Sequence, residues 1–248
     1  MLQANRWPMM DVPPPTQPPT PMQDPQIDLK RNAEGSRYAV LRRLAPAMRH
    51  QLAGSFQPVG LMAAIVEKRL QTATPDVAAL AKTSSDVRTL ATAATRSSLD
   101  LMGWIAPDPE AQVPLGQGIH DTLHLVATEL SFKGFTCVDQ TPGMTTPVAL
   151  SQVRGVFVAA LLALIDAALS PTPFTVTAQR EGGALAVTVT LTEAPTASES
   201  ASRDEFQLNL TSYRNISWDE VDAIAAADGV ALEHNAMAFV LRLPVVRG

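Results

Sequence analysis

The chain has 248 residues, 46% hydrophobic and 17% charged, with a formal net charge of −5. It can bury one large core or two modest ones, and the charge excludes a general nucleic-acid or anionic-membrane binder, which needs clustered positive charge. Cys137 is the sole cysteine, which leaves no internal disulfide framework and no cysteine-based zinc site; a reducing, cytoplasmic setting is expected.

Residues 1 to 30 hold eight of the twenty prolines. Such sequence favours extended, solvated backbone, and residues 1–34 are expected to be a disordered tail, either a docking segment or an inert leader. No apolar run of signal-peptide length survives Pro8, Asp11 and Pro13-Pro14-Pro15. A helix is predicted from about Ser36 to Thr72. Leu44, Met48, Leu52, Phe56, Val59, Ala63, Val66 and Leu70 recur every three or four residues and form one apolar stripe. Thr74-Pro75-Asp76 reads as a turn with Thr74 or Asp76 as the next helix cap. A second helix to about Trp104 then carries Val77, Leu80, Val87, Leu90, Ala94 and Leu101 on one face. Residues 35–106 thus predict an antiparallel hairpin with a half-covered stripe. Two copies would pair into a four-helix bundle, and a homodimer is expected on that ground.

Pro107, Pro109 and Pro114 mark a linker, and from residue 113 the pattern changes. Helices are predicted at Leu115 to Phe132, Pro147 to Leu169 and Trp218 to Ala227. Strands are predicted at Phe135 to Asp139, Phe174 to Gln179 and Leu185 to Thr192, the last two around Gly182-Gly183, and in a closing hairpin at Val230 to His234 and Ala238 to Leu243. Residues 193–205 read as a mobile loop. The stretch 156–169 is too short to span a bilayer and carries Asp166. Residues 113–248 thus form a second domain, and the chain is α+β overall.

His50 carries the chemical interest. At about 100° per residue it lies roughly opposite both Met48 and Leu52, which belong in the core, so it points to water. Ala53, Gly54 and Gln57 cover its face over the next two turns, leaving room for another protein to approach. Glycine inside a helix costs about 1 kcal/mol relative to alanine. Pro58 removes the helical partner of the Gly54 carbonyl, so a bend is expected below His50. Arg42, Arg43 and Arg49 line the same helix as candidate docking residues. A solvated charged face explains them almost as well.

A histidine-bearing helix, a proline below it, a partner helix and an α+β domain together resemble bacterial sensor histidine kinases. The resemblance extends to residues 147–168, which resemble the helix carrying that family's asparagine box, and to 229–244, which resemble its closing hairpin. It implies a four-helix bundle followed by a Bergerat-type α/β sandwich. The departures imply that this sandwich is degenerate. The box reads roughly Asn-Leu-x-x-Asn-Ala in the family and Ala163-Leu164-Ile165-Asp166-Ala167-Ala168 here, so Ala167 replaces the magnesium-binding asparagine. A methyl group offers no oxygen to Mg²⁺. The Asp-x-Gly-x-Gly segment is absent, and residues 193–217 contain no glycine for a lid. Gln51 stands where the family has the Glu or Asp that acts as a base, and an amide cannot do so.

The resemblance therefore implies a histidine phosphotransferase. His50 would exchange phosphoryl groups with receiver-domain aspartates of response regulators, without ATP-dependent autophosphorylation. It needs no cofactor or metal of its own, because the receiver brings Mg²⁺. Partners are receiver domains, with an upstream histidine kinase as a second candidate, and neither nucleic acid nor membrane. The alternative is an inert pseudo-kinase that docks a regulator or kinase; a diverged active kinase comes third. Elsewhere, His120 and His124 have i, i+4 metal-pair spacing but no evident third ligand. His234 reads as an ordinary turn or strand residue, and Cys137 as core.

Overall fold

The computed structural model describes residues 25–192 and 215–245; the proline-rich residues 1–24 and the loop expected at 193–205 lie outside them. Helix α1 runs unbroken over Pro25–Leu70 with Pro46 and Pro58 inside it. Two expectations change here. Residues 25–34 belong to the helix, not to a disordered tail. Proline is tolerated in a first helical turn, where its missing N–H has no partner to lose, and Asp28 suits the positive end of the helix. The cause is tertiary: Ala33 and Ser36 are buried where α1 packs on the second domain. The proline expected to bend the helix does not interrupt it.

Helix α2, Val77–Ile105, starts at Asp76, whose carboxylate accepts the Ala79 N–H; the bond is 3.1 Å long. It runs antiparallel to α1 in one register. Ser55 Oγ lies 3.1 Å from Ser97 Oγ, and Arg69 donates to Thr83 Oγ1 at 2.6 Å. One residue per residue in that register places His50 level with Met102 and leaves α1 upstream of about residue 46 with no α2 beside it.

The second domain begins with β1, Gln112–Pro114, and α3, Leu115–Phe132. Strands β2, Cys137–Asp139, and β3, Pro147–Ala149, follow. A π-helical segment, Gln152–Phe157, leads into α4, Val158–Ala167. The helix predicted from Pro147 thus yields its first residues to β3, which pairs antiparallel with β1 through Val113↔Val148. A partner strand distant in sequence outweighs local helical pattern. The loop before β3 takes the first donors of α3: Leu115 N–H reaches Thr146 O at 3.0 Å and Gly116 N–H reaches Met144 O at 2.9 Å. A Cβ at Gly116 would collide with the Thr141 carbonyl oxygen, so this approach requires glycine.

Strands β4, Phe174–Glu181, and β5, Ala184–Leu191, form the expected hairpin. Helix α5, Trp218–Ala227, opens on a capping box in which Ser217 and Glu220 satisfy each other's N–H. Strands β6, Ala231–His234, and β7, Ala238–Pro244, complete a five-stranded sheet of order β2-β4-β5-β7-β6. Only the β2–β4 pair is parallel. Strand alternation sends Phe174, Val176, Val187, Val189, Phe239 and Leu241 into one core with the helices. On the other face Thr175 opposes Thr190 and Thr177 opposes Thr188. Every residue of 158–165 is buried, and each Leu or Val so placed contributes about 1.5–3 kcal/mol. The chain is α+β: a helical hairpin followed by a mixed-sheet domain.

Cys137 is not core. It opens the edge strand β2 and is exposed. Partial burial, and secondarily the charge of Asp139, push its thiol up to about 11, so it stays protonated at neutral pH.

Candidate functional site

His50 sits on α1 two residues beyond Met48, the last deeply buried residue of that helix, and is exposed. Taking Ser55 as the direction of α2, His50 points about 140° away from it. Ala53, Gly54 and Gln57 are exposed with it and share its outward face. Among the described residues, an added Cβ at Gly54 would meet nothing within 4 Å. The chain's own packing therefore gives no reason for glycine there, and the surface beside the imidazole is open. Arg42 and Arg49 are exposed on the flank of this face, two cations within reach of whatever approaches His50.

Arg43 corrects the sequence reading. It is not a docking residue at the surface but is buried, 6% exposed. Its guanidinium pairs with Glu129 of α3 and lies 3.2 Å from Asp166 of α4. Helical phase separates the three arginines: Arg43 falls on the side of α1 shared by Ser36, Val40 and Ala47, which faces the second domain. Lys133 completes the cluster, 2.6 Å from Asp166, and the Ile216 N–H donates to the other Asp166 oxygen at 3.1 Å. Asp166, the residue before Ala167, is thus engaged on both oxygens by the chain itself. Ala167 is exposed and ends α4. Residue 167 thus offers only a methyl group, and the carboxylate beside it is already held by two cations.

Two further arginines join the hairpin to the domain. Arg37 of α1 donates to Asp228 at 2.6 Å. Arg154, in the π-helical segment, donates to Asp100 at 2.6 Å and stacks 5.0 Å from the Trp104 ring centre. Burial pushes the Asp228 carboxyl up from its ordinary value, and Arg37 opposes that shift. Sequence reasoning missed all three contacts. One signal was present: Asp166 inside the apolar run 156–169, since a carboxylate in a buried helix must find partners.

The single stripe read from α1 is in fact two. Leu44 and Met48 are buried in the core shared by the domain and by Leu101 and Trp104 of α2, whereas Phe56 and Leu70 are 50% and 57% exposed. Ala63 and Leu70 lie on the flank away from the domain with Phe56 beside them, while Leu52 packs against the core. On α2, Met102 and Ile105 are also exposed and lie opposite the side that meets Arg154. The hairpin therefore has one flank covered by the domain and one bare apolar flank; His50, two turns beyond Arg43, is on the domain side of α1, below the covered stretch.

The remaining candidates stay apart. His120 and His124 are exposed on α3, and among the described residues no group of three or more His, Cys, Asp or Glu is placed to hold a metal. His234 stacks on Trp218 with ring centres 4.0 Å apart. No described helix is long and apolar enough to cross a membrane.

No protein-family model matches the chain, and no curated protein matches it. Among solved structures, it is similar to the Acinetobacter baumannii histidine kinase AdeS. The identity is 12% and the TM-score 0.41, over 75% of this chain and 96% of that one. The catalytic domain of histidine kinase ThkA is similar at 10% identity and TM-score 0.39, over 54% of this chain and 96% of that one. The mycobacterial sensor histidine kinase MprB is similar at 16% identity and TM-score 0.36, over 54% of this chain and 97% of that one.

Proposed function

We propose that this chain is a histidine phosphotransferase of a two-component relay, with His50 exchanging phosphoryl groups with receiver-domain aspartates. The observation that carries the reading is the open face around His50: an exposed imidazole flanked by Ala53 and Gly54, bordered by Arg42 and Arg49. In the forward step the lone pair of the unprotonated ring nitrogen forms the N–P bond as the P–O bond to aspartate breaks. The carboxylate leaves, and the second ring nitrogen keeps its proton. The receiver supplies Mg²⁺ and the acidic residues that hold it. Arg42 and Arg49 would offset charge on the phosphoryl group and on that acidic surface.

ATP-dependent autophosphorylation is not part of the proposal. Gln51 offers no base, Ala167 no oxygen ligand, and Asp166 is occupied by Arg43 and Lys133. The bare flank of Phe56, Leu70, Met102 and Ile105 is assigned to a second copy of the chain, which would complete a four-helix bundle. It lies away from the flank the domain covers, so pairing and an open His50 face are compatible. The chain is placed in the cytoplasm, where receiver domains act.

The openness at Gly54 also suits a docking module without chemistry. Label transfer separates the two. A panel of receiver domains charged with radiolabelled acetyl phosphate should pass acid-labile label to the chain but not to His50→Ala. If His50→Ala binds the receivers and no label reaches the unaltered chain, the docking reading replaces the relay.

A further inference from the structure

The upper half of α1 has no α2 beside it, and the second domain is its neighbour instead, through α3 and α5. Among the described residues, Arg37 and Arg43 of α1 pair with carboxylates of the domain, and Arg154 of the domain pairs with Asp100 of α2; the three links differ in kind. Arg37 is 38% exposed by side chain and Arg154 pairs with a carboxylate that is 52% exposed, whereas Arg43 and Asp166 are 4% and 3% exposed. We infer that Arg43 is the pin of an interdomain lock that fixes the His50 helix against the α+β domain. Such a lock would hold whether or not His50 carries a phosphoryl group.

A buried guanidinium needs its carboxylates in place, and its rigid fork makes it specific about where they lie. Arg43 reaches two of them, Glu129 on α3 and Asp166 on α4. The domain therefore cannot slide along α1 or roll around it without stripping both contacts. Lys133 holds the same two carboxylates from the domain side. With Arg43 withdrawn, Glu129 and Asp166 still have a cation, so the domain keeps a satisfied interior. That asymmetry makes the contact a lock and not a keystone of the fold. The domain survives release; the upper half of α1 does not survive unchanged. Freed, it is a stretch of about 20 residues parted from the face it packs on, and most helical stability in proteins comes from such packing. His50 lies seven residues, about two turns, beyond the pin, so the lock also sets how the domain stands over the approach to the imidazole.

Hydrogen exchange on the full chain tests this. In Arg43→Met, amides of residues 30–46 should exchange at least tenfold faster while β4, β5 and β7 exchange as in the unaltered protein. Arg43→Lys, which keeps the charge but not the fork, should fall between. Unchanged exchange over 30–46 in Arg43→Met would overturn the lock. So would an equal rise across the sheet, because the cluster would then hold the domain's own fold.

Discussion

The two halves of α1 share one helical pattern and meet opposite fates. Upstream of His50, Val40, Leu44 and Met48 are buried in the core that the domain and the end of α2 build, and Ala33 and Arg43 are buried with them. Downstream, α2 covers one side and leaves Phe56 and Leu70 bare. Apolar spacing marks a face that must be buried but not what buries it. Arg43, Glu129 and Asp166 decide the upper half; in the lower half a second copy is proposed. His50 stands where cover by the domain gives way to the open flank.

The sharpest break of this contrast is expected in the upper half. Leu44→Ala should cost about 2–5 kcal/mol. Arg43→Met should loosen residues 30–46 locally but cost no more than about 0.5 kcal/mol of the sheet's unfolding free energy, because Lys133 still pairs with Glu129 and Asp166. Urea titration checks both, and neither loss should depend on protein concentration. In the lower half Phe56→Asp should leave the single chain's stability within about 0.5 kcal/mol yet convert dimer to monomer in sedimentation. A monomeric parent protein would remove the second copy from the account.

Smaller effects refine the picture. Gly54→Ala should stabilise α1 by about 1 kcal/mol, since nothing obstructs the added methyl, while slowing transfer from charged receivers if they approach that face closely. Thermal unfolding and transfer rates read the two separately. Asp228 tests the upper interface by pH. Its folded value is raised by burial, so its contribution is fully present below the unfolded value and is lost as pH rises through the folded one. The stability of the unaltered chain relative to Asp228→Asn should therefore fall with rising pH across that window; a rise would reverse the assignment to burial.

Much of this was legible in the sequence. Helices at 115–132 and 218–227, the Asp76 cap and the closing hairpin follow from local pattern and capping chemistry. The start of α1 was not legible, because residues 26–32 carry too little apolar pattern and are ordered by contacts beyond them. Strand β3 was hidden for a similar reason: Pro147–Ala149 pairs with a segment far upstream. The exposure of His50, Ala53, Gly54 and Gln57 followed from helical phase alone. The same phase would have separated Arg43 from Arg42 and Arg49 had it been set against Ser36, Val40 and Ala47, and the carboxylate inside 156–169 was the matching half of the pair.

The relay itself is tested by supplying phosphate in two forms. The full chain is incubated with radiolabelled ATP and Mg²⁺, and separately with receiver domains charged from radiolabelled acetyl phosphate; label at residue 50 is read by peptide mapping under alkaline conditions. The account predicts label on His50 from charged receivers and none from ATP. Label from ATP, or none from any receiver, would contradict it.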